Sequence, residues 1–150
     1  MAADLIISRI RKNASTEIWV VLKEYNEKCS CDIREFYQSP NTAEWIPTRK
    51  GVSIPLDMLG KAVDAAEALV EKDQVCEVAS LPFGKTAKIR FGVCEFNKRI
   101  YGEVRTYYID RAGGEEWKPG KGATLPLSQL GEFAKALRLA EDEAERWAKA

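Results

Sequence analysis

Glu24-Tyr-Asn-Glu-Lys-Cys-Ser-Cys-Asp-Ile-Arg-Glu-Phe-Tyr37 and Glu95-Phe-Asn-Lys-Arg-Ile-Tyr-Gly-Glu-Val-Arg-Thr-Tyr-Tyr108 are one text written twice, at an offset of 71 residues. The identities are Glu24/Glu95, Asn26/Asn97, Arg34/Arg105 and Tyr37/Tyr108, with Tyr25/Phe96, Lys28/Arg99, Ile33/Val104 and Phe36/Tyr107 as conservative pairs. The same offset carries Lys50-Gly51 onto Lys121-Gly122, Pro55-Leu56 onto Pro126-Leu127, and Leu59-Gly60 onto Leu130-Gly131. An offset held across strand-like and helix-like text marks a duplicated supersecondary unit, and a unit used twice does not bury its apolar face alone. Each copy has about 70 residues, near the lower limit for a self-sufficient core, so the copies are expected to share one.

Within each copy the hydrophobic pattern changes period. Ile18–Tyr25 is β-branched and aromatic, which favours a strand. Asn26-Glu27 is a tight turn and Lys28–Tyr37 the next strand, with Cys29, Cys31 and Ile33 on one face and Ser30, Asp32 and Arg34 on the other. Ser39-Pro-Asn-Thr42 breaks it. Glu44–Gly51 is expected as a short strand and turn, and Val52–Ile54 as a final strand. A helix over about 56–72 follows, with Leu56, Leu59, Val63, Ala66 and Val70 as its apolar stripe. The second copy repeats the plan: strands at 87–96 and 99–108, a break at Arg111-Ala-Gly-Gly114, a basic turn at 117–122, a strand at 123–125. Its helix, about 127–148, carries Leu130, Phe133, Leu137, Ala140, Ala144 and Trp147. The organisation read is an arm or strand at 1–17, repeat 1 at 18–72, a connection at 73–86 and repeat 2 at 87–150. The expected fold is α+β: two curved four-stranded antiparallel sheets, each followed by one helix, packed as an intrachain pseudo-dimer.

Charge and chemistry narrow the function. Lys plus Arg number 23, as do Asp plus Glu, and there is no histidine. A neutral sum argues mildly against nucleic-acid binding, but distribution matters more. Lys85, Lys88, Arg90, Lys98, Arg99 and Arg105 crowd the second repeat's strands, while Glu141, Asp142, Glu143 and Glu145 crowd the last helix. Cys29, Cys31, Cys76 and Cys94 lack the paired spacing of a zinc site and read as buried, reduced thiols in a reducing compartment. No phosphate-binding glycine loop or activated nucleophile is present, so neither catalytic residues nor a cofactor or metal are expected. No apolar run is long enough to span a bilayer, and the N-terminus lacks a secretory pattern.

Two segments carry a family resemblance: Asp32-Ile-Arg-Glu-Phe-Tyr37 with Pro47-Thr-Arg-Lys-Gly-Val-Ser53, and Glu103-Val-Arg-Thr-Tyr-Tyr108 with Trp117-Lys-Pro-Gly-Lys-Gly122. Strand, break, basic segment and helix in this order resemble the transcriptional coactivator family of positive cofactor four, once per repeat. The resemblance implies a curved four-stranded sheet plus helix that pairs through its helices, and binding of single-stranded DNA, which the similarly folded plant Whirly proteins also bind. It implies stacking rings at Tyr25, Tyr37, Phe96 and Tyr108. It implies backbone-binding cations at Lys28, Arg34, Arg49, Lys50, Arg99, Arg105, Lys118 and Lys121. This sequence departs from the family at Asn26 and Asn97, which replace a basic residue, and at the strand-end Tyr, which replaces Trp. It also lacks the family's basic, serine-rich tail.

The chemistry agrees independently. Single-strand binders combine a cationic groove with flat rings on which bases stack, with little sequence preference. Any one strand Tyr or Phe is more often half-buried packing; recurrence beside Lys or Arg at matched positions favours a binding role. Arg34 and Arg105 could instead pair with Glu35 or Glu103. Trp19, Trp45, Trp117 and Trp147 read as core or rim packing, and Gly60 and Gly131 as close-packing sites. Gly51 and Gly122 are expected to allow a tight turn beside the lysines and keep a backbone amide open to phosphate. The resulting expectation is a non-enzymatic, monomeric single-stranded DNA binder serving transcription, replication or repair. Its expected place is the bacterial cytoplasm with the nucleoid, or the nucleus in a eukaryote. The alternatives are an interaction module of the same fold that has lost the ligand, and an RNA binder, since stacking and phosphate contacts do not read the 2′-hydroxyl.

Overall fold

The computed structural model describes residues 3–109 and 116–149. The break expected at Arg111–Gly114 lies outside them. The elements run β1 (Leu5–Asn13), β2 (Thr16–Tyr25), β3 (Lys28–Gln38), β4 (Trp45–Pro55), α1 (Leu59–Leu69), β5 (Cys76–Phe83), β6 (Ala87–Phe96), β7 (Arg99–Ile109), β8 (Trp117–Pro126) and α2 (Leu130–Ala148). They form two antiparallel meanders, β1-β2-β3-β4 and β5-β6-β7-β8, each followed by a helix. A single 3-10 turn, Leu56–Met58 or Leu127–Gln129, leads into each helix.

Alternation divides each sheet into two faces. Ile18, Val20, Leu22, Cys31, Ile33, Val52 and Ile54 of the first sheet join one buried cluster with Ile89, Phe91, Val93, Val104 and Leu125 of the second and with both helices. The opposite face of the first sheet carries Trp19, Val21, Asp32, Arg34 and Phe36; Val21 and Phe36 are buried there, outside that cluster. The core is therefore shared, as the lengths of the copies require.

The helices cross over. α2 packs on β1 and β2 of the first sheet, whereas α1 packs on β5 and β6 of the second, and the helices pack on each other. Where they meet, Arg138 donates to Glu67 through Nε at 2.9 Å and Nη2 at 2.6 Å. Within repeat 2 a glycine lets the start of α2 lie close on its own sheet. A Cβ on Gly102 would lie 2.3 Å from Leu130 Cδ2, so the first residue of α2 occupies the space a side chain would need.

Several expectations are corrected. Of the arm or strand expected at 1–17, Leu5–Asn13 is a strand, and what changes is its place: it is the first strand of the first sheet and belongs to repeat 1. Cys76–Phe83, read as part of the connection, is the matching strand of the second. Both are edge strands, which explains the tolerance of Pro82. The short strand, basic turn and final strand of each copy are one strand, β4 or β8, with a register shift opposite Arg34/Phe36 or Arg105/Tyr107. The shift accommodates residues 48–50 and 120–121, so the lysines stand on an irregular strand, not a turn. In α1, Val70 is exposed and lies past the helix, because the buried face is completed by Ala62 and Ala65. Gly131 has open space around it, and Gly60 approaches only the flexible end of Glu141, so neither is a close-packing requirement.

Candidate nucleic-acid interface

The hairpin β2–β3 turns through Asn26 and Glu27 at φ 50° and 63°, and β6–β7 through Asn97 and Lys98 at 52° and 65°. Two consecutive left-handed residues make the turn whose twist matches antiparallel strands, and Asn tolerates that region well. Asn26 and Asn97 suit that conformation in both copies. The turn holds Tyr25 beside Lys28 and Phe96 beside Arg99 at the tips, with Tyr25 78% and Phe96 67% exposed.

Arg34 and Arg105 are held in the same manner, each by a carboxylate two residues back and a carbonyl of the next strand. Arg34 donates to both oxygens of Asp32 at 2.9 Å and to the carbonyl of Thr48 at 3.0 Å. Arg105 donates to Glu103 at 2.9 Å and to the carbonyl of Gly120 at 2.8 Å. The acceptors lie two residues back on the same strand face; Glu35 is not Arg34's partner. Asp32 also accepts from Ser53 Oγ at 2.8 Å. These guanidiniums brace β3 to β4 and β7 to β8 while keeping about a fifth of their surface exposed.

Gly51 and Gly122 serve that same closeness. A Cβ at Gly51 would lie 2.6 Å from the carbonyl oxygen of Ile33, and one at Gly122 would lie 2.6 Å from that of Val104. Both glycines sit in paired strand, opposite Arg34 and Arg105. The expectation of a tight turn presenting an open amide is replaced by a close strand–strand approach. The Lys50 amide itself donates to Thr48 Oγ1.

The edges β4 and β8 lie against each other, and a cleft of about 560 Å³ opens between the repeats. Repeat 1 supplies Lys12, Glu35, Arg49 and Lys50 to its wall. Repeat 2 supplies Phe96, Tyr101, Arg105 and Lys121, with Cys94, Glu95, Glu103, Gly122 and Thr124. Lys12 donates to Thr124 Oγ1 at 2.8 Å and to Glu35 at 3.4 Å, tying β1 and β3 of one repeat to β8 of the other. Among the described residues Arg49, Lys50 and Lys121 have no ion-pair partner, and with Lys12 and Arg105 they outnumber Glu35, Glu95 and Glu103 on the cleft wall. Burial pushes the Cys94 thiol up to about 11, with Glu103, which accepts its hydrogen, adding to the effect. Burial likewise raises Cys31 to about 12. Of the four cysteines only Cys31 is buried; Cys29, Cys76 and Cys94 are half-buried, because they occupy strand ends and a cleft wall.

Of the twelve site residues expected from sequence, Arg49, Lys50, Phe96, Arg105 and Lys121 meet in this cleft. Tyr25, Lys28 and Arg99 stand at the hairpin tips, and Arg34 on the matching face of the first sheet. Tyr37 and Tyr108 are exposed, at 43% and 44%, but alternation puts them on the opposite face from Arg34 and Arg105. Lys118 pairs with Tyr108 across β7–β8 and is exposed. Sequence reading missed Lys12, Glu35, Thr124 and Tyr101. Tyr101 was legible as the first member of the alternating face Tyr101, Glu103, Arg105; Lys12 was not, because nothing in the text joins it to residue 124. Trp19 stacks on Phe36 at 4.0 Å with Arg9 over its ring at 4.6 Å, Trp147 Nε1 donates to the Ala3 carbonyl, and Trp45 and Trp117 are half-buried beneath Arg9 and Lys88.

A duplicated sheet-and-helix unit with a cationic, ring-bearing cleft between its copies defines a tandem coactivator-like fold. The family described as Transcriptional Coactivator p15 (PC4) matches this chain twice, over residues 12–64 and 83–136, and the chain belongs to that family. Among solved structures, a PC4 homolog from Burkholderia pseudomallei is 26% identical, covering 48% of this chain and 96% of its own, with a TM-score of 0.41. The bacteriophage T5 homolog of the eukaryotic coactivator PC4, implicated in recombination-dependent DNA replication, is 22% identical. That likeness covers 41% of this chain and 70% of the phage protein, with a TM-score of 0.36. No curated protein matches the chain. No described helix is long and apolar enough to cross a membrane.

Proposed function

We propose that this protein binds single-stranded DNA without catalysis, by stacking bases on exposed rings and holding phosphates on Lys and Arg. The observation that carries the reading is the cleft, where Arg49 and Lys50 of one repeat stand over Phe96, Arg105 and Lys121 of the other. Glu35 lines the same cleft, and Tyr37 lies two residues further along the same face of β3. A strand leaving Phe96 would thus meet Tyr37 of the other repeat, and by the internal symmetry Tyr25 would be served by Tyr108. Such binding follows backbone charge and flat rings, so it discriminates little between sequences.

Anisotropy titration of labelled oligo-dT at two salt concentrations tests this. Affinity should fall with salt, with a slope near −0.7 per phosphate neutralised. Lys50→Ala with Lys121→Ala should flatten that slope by roughly 1.4 and leave the melting temperature unchanged, since neither lysine has an ion-pair partner among the described residues. The second reading, an interaction module without ligand, draws on Asp32 and Glu103, which already occupy Arg34 and Arg105. No binding at low salt would select it. Competition by oligo-rU separates RNA from DNA.

A further inference from the structure

The two repeats are not equivalent as binding surfaces, and the difference lies at Tyr101. Phe96 pairs with Arg99, and Tyr101 with Cys94, so Phe96 and Tyr101 are diagonal neighbours on one face of the β6–β7 ladder. Such neighbours stand about 7 Å apart at Cβ, within reach of aromatic side chains. Two rings standing parallel that far apart would leave room for one further flat ring between them. Both residues line the cleft, and neither has a ring partner among the described residues. In repeat 1 the matching positions are Tyr25 and Ser30, so only one ring is present. The cation supply differs in the same direction: Arg49 overhangs the Phe96 side, whereas its counterpart by symmetry lies in the shorter β8 segment around Gly120 and is not a cation.

We infer that Phe96 and Tyr101 form a sandwich for a single unpaired base, present only in repeat 2, with the flanking phosphates on Arg49, Lys50 and Lys121. This rests on the single-strand reading above and adds an anchor to it. One nucleotide is clamped on both faces in the Phe96 cleft, while the Tyr25 side offers a one-sided platform. A single strand therefore seats in the repeat 2 cleft first, and the two halves fill in order.

The test uses the full chain and a dT oligomer carrying one 2-aminopurine, whose fluorescence is quenched on stacking. Tyr101→Phe keeps a flat ring and should match the wild type. Tyr101→Leu keeps the bulk but not the flat face; it should weaken binding about tenfold and lose most of the quenching. Ser30→Tyr should create a second quenched site and bring the two binding steps together. Wild-type affinity and quenching in Tyr101→Leu would overturn the sandwich and leave the binding function standing. A wild type that does not bind dT at low salt would overturn both.

Discussion

At the residue scale, paired charges and thiols decide more than the inventory of cations suggests. Arg34 is at once a candidate phosphate contact and the partner of Asp32, which is 2% exposed. Removing its guanidinium would strand a buried carboxylate, a change that destabilises by several kcal/mol in comparable sites. Lost binding in Arg34→Ala would therefore mix fold and ligand effects, which is why the lysines of β4 and β8 are the cleaner probes. The raised thiols make a pH prediction. An unfolded thiol ionises near 9, while Cys31 and Cys94 are held to about 12 and about 11. Above pH 9 the unfolded chain releases protons that the folded chain keeps, so stability is full below pH 9 and declines as pH rises through 11 to 12. Urea midpoints at pH 8 and pH 10.5 should show the drop, and Cys94→Ala should reduce it. The spacing of Asp32 with Arg34, and of Glu103 with Arg105, was readable as same-face pairing. What the text could not display is that each arginine also donates to a carbonyl on the next strand.

At the element scale, the strands before and after the repeated text were the hard ones. The central pairs β2–β3 and β6–β7 declare themselves by alternation and by Asn turns. β1 and β5 are edges that lie outside the clearly repeated text: β1 reads Leu5-Ile-Ile-Ser-Arg-Ile10 without strict alternation, and β5 contains Pro82, which argues against a strand. β4 and β8 were split because Arg49-Lys50-Gly51 looks like a turn. The glycine there answers a different need, since the facing strand comes within 2.6 Å of where a methyl group would sit. Gly51→Ala should consequently cost about 1–3 kcal/mol through overpacking, read as a lower urea midpoint. A turn glycine with ordinary φ would instead tolerate alanine. Gly84, with φ 72° and open space around it, is the contrasting case of a glycine kept for backbone conformation.

At the scale of the whole molecule, the crossed helices remove any independent half. Each helix covers the other repeat's sheet, and Trp147 near the end of α2 reaches the Ala3 carbonyl at the start of the chain. Calorimetry should accordingly show one transition whose calorimetric and van't Hoff enthalpies agree. Two resolved transitions would mean that the repeats fold separately. The shared core was legible from the length of the copies, and the exchange of helices was not, because a stripe of apolar residues does not name the sheet that receives it.

The contact between Glu67 and Arg138 joins positions that correspond under the duplication. Two identical subunits arranged about the same axis would set acid against acid, or guanidinium against guanidinium. A bond of opposites at that spot belongs to a union of unlike sisters. Once each sister requires the other rather than its own likeness, nothing compels them to stay alike, and a ring gained at 101 need not be matched by one at 30.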